Sequence, residues 1–389
     1  MQNQKLKSAF ICVTVLVFAS MVAGQQKPGK LAQVRDHYNA AQNFEQHGKW
    51  KEAEQEWRAA LALAPADARA WTNLGVTLNR QDKTAEALDA WRKAISIDPK
   101  LPGPHFNLGL TLVRKGDYKS AVAPLRQTLD FDPKNHGAKR ALAVALIGTG
   151  LNSEATPVIG QLVSAFPEDP ALLELAAQHY MRERLYADAV TVLLRRLRLP
   201  KPTSFLWAQY GDALDAAGRT PEAADAYRKA VELDPESTLT RYGLGYLYWK
   251  LYRYDDAERE LLEVLRRAPQ DPRASFTLGD LYLTKGDAQR ALPFLEVARA
   301  AYPNEFDTRF ALGRALVLTG DLEKGVEELR AAVNIDRTIA DGHFQLGRAL
   351  IKAGKRDEGK QELQKAQALH DKQRKKESDQ YRKKLPDPK

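Results

Sequence analysis

The chain has 389 residues, with 59 Lys plus Arg against 50 Asp plus Glu, a formal charge of +9 and a single cysteine. One cysteine excludes a disulfide framework. Most of the basic excess lies in the C-terminal tail and the rest of the chain is nearly balanced, which argues against a nucleic-acid partner.

The first 24 residues read as a leader rather than as part of a fold. Lys5 and Lys7 form a positive start, Ala9 to Val22 is apolar, and Val22-Ala23-Gly24 supplies small residues before Gln25. This is the pattern of a secretory signal peptide. The apolar run is short for a membrane span, and an uncleaved anchor is the alternative. The one cysteine, Cys12, lies inside the leader and none follows it, which excludes a lipoprotein. Removal of Lys5 and Lys7 with the leader leaves +7 and no thiol. A secreted eukaryotic domain more often carries disulfides. With no N-x-[ST] sequon either, the expected setting is bacterial export, periplasmic or secreted. Residues 25–33 are expected to be a linker.

From there a proline returns every 34 residues, at Pro65, Pro99, Pro133, Pro167, Pro235, Pro269 and Pro303. The missing beat falls on Lys201, between Pro200 and Pro202. Such a period marks an array of one stacked unit. Ten units fit without insertion, starting at Val34, Ala68, Pro102, His136, Pro170, Ser204, Thr238, Pro272, Phe306 and Ala340, so the array covers 34–373. Places within a unit are counted from these starts. In the second unit Trp71, Leu74 and Leu78 are spaced by three and four, which makes one apolar helical face. Gly75 lies on that face and lets a second helix approach, with small Ala87 expected to meet it; bulk there would overpack by about 1–3 kcal/mol. Pro99 ends the second helix. Pro124, Pro157 and Pro293 fall inside second helices and are expected to bend them, while Thr220 is expected to cap the helix that Pro221 opens. Unit four is irregular at Lys139 and Ala143, unit five at Ala176 and Ala177, and units nine and ten carry Gly325 and Gly359 in place of alanine. The weak stretch Ala176 to Thr203 is a candidate joint, although the frame is unbroken there. The end, 374–389, is a basic polar tail or capping extension in which the last helix runs on until Pro386 and Pro388.

The order Trp71-x2-Leu74-Gly75-x2-Leu78, then Ala87-x3-Trp91, then Pro99 resembles the tetratricopeptide repeat (TPR) family. So do Trp207, Tyr210, Gly211, Leu214, Ala223, Tyr227, Ala230 and Pro235, and Leu278, Gly279, Tyr282, Ala291, Leu295, Ala298 and Pro303. The resemblance implies an all-α, right-handed α-solenoid of about ten helix-turn-helix repeats. It also implies that the first helix of each unit lines a concave groove through places 2, 5, 9, 12 and 13.

Chemistry is absent from the motifs. The seven histidines form no H-E-x-x-H, and there is no G-x-S-x-G, no phosphate-cradling glycine loop and no thiol nucleophile after the leader. No catalytic residue, metal or cofactor is assigned. His105 and His343, at place 4, are expected to be packing residues. The groove carries the candidate site: Tyr242, Tyr246 and Trp249 on one helix face, Phe276, Phe310 and Phe344 at place 5, Arg314 and Arg348 at place 9, and Asn73 and Asn107 at place 6. Aromatics followed by arginines suit an extended peptide or amphipathic helix bearing an acidic residue. The phenylalanines have a packing reading as well. Tyr38 and Gln42 stand where chaperone-binding relatives carry Lys and Asn, so chaperone-tail binding is not expected. The expected function is a non-enzymatic protein-interaction scaffold or assembly factor of the bacterial envelope. A polysaccharide partner is the alternative, with Asp212, Asp215 and Asp280 as hydrogen-bonding groups. Membrane contact is expected only through an uncleaved leader or the tail.

Overall fold

The computed structural model describes residues 28–384, so the segment expected to be a leader, Pro386 and Pro388 lie outside the described residues. Every regular element among the described residues is a helix. The chain forms two compact units that divide between Val158 and Ile159, not in the stretch Ala176 to Thr203. The first contains α1 (Pro28–Gln46), α2 (Trp50–Leu63), α3 (Ala68–Arg80), α4 (Thr84–Ile97), α5 (Pro102–Arg114), α6 (Tyr118–Phe131), α7 (His136–Gly148) and the opening turns of α8 (Asn152–Ala165). The second continues with α9 (Pro170–Arg182), α10 (Tyr186–Arg198), α11 (Ser204–Ala216), α12 (Thr220–Leu233), α13 (Thr238–Lys250), α14 (Tyr254–Arg267), α15 (Pro272–Thr284), α16 (Ala288–Ala301), α17 (Phe306–Thr319), α18 (Leu322–Ile335), α19 (Ala340–Lys352) and α20 (Arg356–Lys384). The first helix begins at Pro28, six residues ahead of Val34, so residues 28–33 of the expected linker are helical, and the last helix runs through the basic segment to Lys384.

Each helix has local causes. At six of the nine junctions the last place of a unit caps the first (A) helix of the next: Asp67, Asn135, Asp169, Thr203, Ser237 and Asp271 accept backbone N–H groups, whereas Leu101, Glu305 and Ile339 do not. The turn from the A to the second (B) helix needs a left-handed residue at place 15. Glycine supplies it in most units, but Asp82, Arg184 and Tyr252 adopt φ near +60° there. Lys201 also stands at φ +62°, a value closed to proline, which explains the missing beat. α10 nonetheless packs against α11 as other B helices do against the A helix that follows. The three interior prolines lie within α6, α8 and α16. Thr220 does not cap: it is already helical, and its hydroxyl donates to Asp215 at 2.8 Å.

Hairpins pack through a small residue at place 8 and a large one at place 24. A Cβ on Gly75 would stand 2.4 Å from the Trp91 ring, so Trp91 rather than Ala87 makes the close approach. Tyr227 is gripped from two sides, since Cβ atoms on Gly211 and Gly243 would both fall within 2.5 Å of its ring.

A second seam joins place 4 to place 23. His37 meets Glu56 at 2.6 Å, Arg241 meets Glu260 at 2.7 Å, Arg309 meets Glu328 at 2.7 Å and His343 meets Glu362 at 2.6 Å. Where place 4 is tryptophan, Trp71 and Trp207, place 23 is the buried Ala90 or Ala226. The same place also closes the turn before the hairpin: Trp71, His105 and Arg241 contact the carbonyl of Pro65, Pro99 and Pro235 at 2.9–3.0 Å. His105 and His343 are accordingly buried packing residues.

Candidate binding groove

Within the second unit successive A helices touch (α11–α13, α13–α15, α15–α17, α17–α19), and successive B helices do not approach comparably. The A helices therefore form the inner face of the stack, and places 2, 5, 9, 12 and 13 open onto it.

Helix α13 sets the character of this face. Tyr242 and Tyr246 lie near-parallel with centroids 6.2 Å apart, and Trp249 continues the row at 5.6 Å from Tyr246. The spacing and the small interplanar angles describe a tiled platform rather than a face-to-face stack. Tyr246 is 37% exposed, while Tyr242 and Trp249 are half-buried. Two exposed side chains absent from the sequence-based candidates extend the platform: Phe205, 65% exposed, and Leu239, 55% exposed, both at place 2. Their signal was an apolar residue where other units carry Arg69, Arg273 or Asp307, which is visible only once the frame is laid.

Carboxylates flank the platform. Asp212, on α11, accepts a 2.6 Å bond from the Tyr227 hydroxyl, and Asp280, on α15, accepts from the Trp249 side chain. Crowding by the protein pushes both carboxyls above the usual aspartate range; neighbouring Asp215 adds to this at Asp212, and Arg314 opposes it at Asp280. Asp215 is engaged already, by Lys250 at 2.6 Å. Further along, Phe276 and Phe310 are half-buried, Phe310 stacking on Phe306 at 5.2 Å, whereas Phe344 is exposed. The Arg314 and Arg348 guanidinium groups lie 5.5 Å and 5.7 Å from the Phe310 and Phe344 centroids. The structure thus brings eight of the ten sequence-derived candidates onto one face. Asn73 and Asn107 belong to the first unit, where both are half-buried and Asn107 lines a narrow cleft with Asn79, Arg114 and the edge of Trp91.

Comparison with known proteins follows this geometry. Family profiles described as "Tetratricopeptide repeat" match residues 242–306 and 282–343, and one described as "TPR repeat" matches 211–251. The "Cilia and flagella-associated protein 70 middle TPR-like domain" profile matches 38–167. The chain is a tetratricopeptide-repeat protein. Its all-α solenoid fold is the fold of that family. A curated relative, cellulose synthase operon protein C of Salmonella typhimurium, is 30% identical over 84 residues, which is 22% of this TPR chain and 7% of that protein. Among solved structures, MamA from Desulfovibrio magneticus RS-1 is 23% identical with a TM-score of 0.42, covering 45% of this chain and 99% of that one. YrrB, titled a TPR protein with an unusual peptide-binding site, is also 23% identical at a TM-score of 0.42, covering 46% of this chain and 93% of that one. Among the described residues of this TPR protein, no helix is long and apolar enough to cross a membrane and no group of acids, histidines or cysteines is placed to hold a metal.

Proposed function

We propose that this chain is a non-enzymatic scaffold that captures a segment of a partner protein along the inner face of α11 to α19, in the envelope of a bacterium. The observation that carries the reading is the row Tyr242–Tyr246–Trp249 with Phe205 and Leu239, in which Tyr246, Phe205 and Leu239 are exposed large hydrophobic side chains. Large exposed aromatics in a contiguous patch favour contact surfaces over solvent. The leader at residues 1–24 supports export.

The test is site-specific photocrosslinking in cells, with a crosslinking amino acid at Leu239 or Leu318 on the groove and at Leu262 on the outer surface. Groove positions are expected to yield a discrete protein adduct that Tyr246→Ala with Trp249→Ala removes. Adducts from Leu262 alone would refute the groove. Recovery of the chain in the cytoplasmic fraction would refute the envelope setting.

A further inference from the structure

We propose that the groove of the second unit selects a charge-polarised segment: a lysine or arginine laid on Tyr246 and Trp249 between Asp212 and Asp280, followed along the stack by carboxylates received by Arg314 and Arg348. This deepens the groove reading above and rests on it.

The first argument is charge left without compensation. Asp212 and Asp280 stand at place 9 of the hairpins on either side of the one that carries Tyr246. Their bonded partners are neutral, the Tyr227 hydroxyl and the Trp249 indole. Neither carboxylate forms an ion pair among the described residues. Asp280 is partly buried and Asp212 has Asp215 as a like-charged neighbour, so an unpaired carboxylate is costly at either, and an arriving cation lowers that cost.

A second argument is that the rings already draw cations. The Lys250 ammonium lies 5.9 Å from the Tyr246 centroid and the Arg273 guanidinium 4.8 Å from that of Tyr242. A cation held over an aromatic face and beside a carboxylate gains from both. Trp249 carries no such cation among the described residues, which leaves its face for the partner.

The third argument is that Arg314 and Arg348 lack the acids that hold others. On the preceding hairpins Arg228, Arg253, Arg266 and Arg290 are each held by an acid three residues away, and Arg273 is held by Asp271. Arg314 and Arg348, on the groove, form no ion pair among the described residues and rest on phenylalanines. Arg314 acts on Asp280 without pairing with it, Arg348 has no ion-pair partner among the described residues, and both stand at the end of the groove away from Asp212.

The spacing follows from the stack. Adjacent helix axes stand about 8–10 Å apart, so Tyr246 to Arg314 spans two steps, about 20 Å, and Arg348 lies about one step further. A peptide in the polyproline II conformation rises about 3.1 Å per residue and returns every third side chain to the same side, so a carboxylate six residues from the basic residue reaches Arg314 and one three residues beyond that reaches Arg348.

The probe is therefore the fluorescently labelled peptide Lys-Leu-Ser-Leu-Ser-Leu-Asp-Ser-Leu-Asp, measured by anisotropy on the purified chain. Three comparators replace Lys by Gln, both Asp by Asn, or all three. The full probe is expected to bind about tenfold tighter than the neutral peptide, with the half-charged peptides between. Asp212→Asn with Asp280→Asn should erase only the lysine's advantage, and Arg314→Gln with Arg348→Gln only the aspartates'. Circular dichroism and unchanged affinity for the untouched half-charged peptide show that the variants remain folded. Equal binding of all four peptides, lost on Tyr246→Ala, would overturn the charge inference and leave the groove reading standing. No binding of any probe would also overturn it, and the crosslinking experiment then decides the groove separately. Displacement of a charge-insensitive probe by dextran would overturn it in favour of sugar stacking.

Discussion

The seam between place 4 and place 23 yields a sharp test, because the chain contains two chemically different solutions to one packing problem. In the seventh unit Arg241 and Glu260 are 15% and 13% exposed and 2.7 Å apart, and Arg241 also bonds the Pro235 carbonyl at 3.0 Å. In the second unit Trp71 bonds the Pro65 carbonyl at 3.0 Å and packs in a hairpin whose place 23 is the buried Ala90. Glu260→Ala strands a largely buried guanidinium on a single carbonyl. Losing one member of a fully buried pair costs about 3–5 kcal/mol, and the residual exposure here lowers the expected loss to about 2–3 kcal/mol. Arg241→Trp combined with Glu260→Ala installs the other solution, and replacing a buried pair by fitting apolar groups is close to neutral, about 1 kcal/mol or less. Repeat proteins unfold locally, so the assay is native-state hydrogen exchange of α13 and α14 amides, with urea titration as a check on the whole chain. The single variant should lose protection by about 30- to 150-fold, and the double variant should recover most of it. A double variant no better than the single one would refute the claim that these are interchangeable solutions.

Three further outcomes are expected. Tyr252, at φ +59° and 78% exposed, holds a strained left-handed turn where most units have glycine, so Tyr252→Gly should stabilise the chain by about 1 kcal/mol, read as a higher urea midpoint. Asp280 has a raised pKa in the fold, so its ionised form opposes folding: the stability associated with it is present below the unfolded aspartate pKa of about 3.9 and is lost as pH rises through the folded value. Asp280→Asn, which keeps an acceptor for Trp249, should therefore raise the urea midpoint at neutral pH and leave it unchanged below pH about 3.5, where wild type is protonated too; a larger gain in acid would contradict the sign. Gly211→Leu drives a side chain into the gripped Tyr227 ring and should cost about 1–3 kcal/mol by overpacking, measured by thermal denaturation.

Much of the fold was legible because one proline, one glycine and one alanine recur in phase, and phase is additive evidence over ten units. The place-4 to place-23 seam was not, although His37 and Glu56, or Arg309 and Glu328, are nineteen residues apart in the chain. Its two ends differ from unit to unit, so the eye set on identical residues misses a pairing of opposite charges. The Trp91 approach to Gly75 was likewise misjudged, because sequence spacing does not tell which side chain on the opposing helix reaches furthest. At the candidate site, Tyr246 and Trp249 stood out by type, while Phe205 and Leu239 required a comparison across units at place 2. The Tyr227–Asp212 bond crosses from the B helix to the groove between two glycines, a route that no one-dimensional pattern displays.

The capping rule has one more consequence. Asp271 ends its unit with the same N-cap role that Ser237 and Thr203 play in theirs. If residues 272–305 were excised, Asp271 would meet Phe306 and find the N–H groups of another A helix waiting. The chain is thus divisible at any such seam, and the groove behaves as a ruler with a fixed graduation: each hairpin removed or added shifts Arg314 against Tyr246 by one step, about three residues of an extended ligand. Ligand length would then be set by counting hairpins and not by reshaping them.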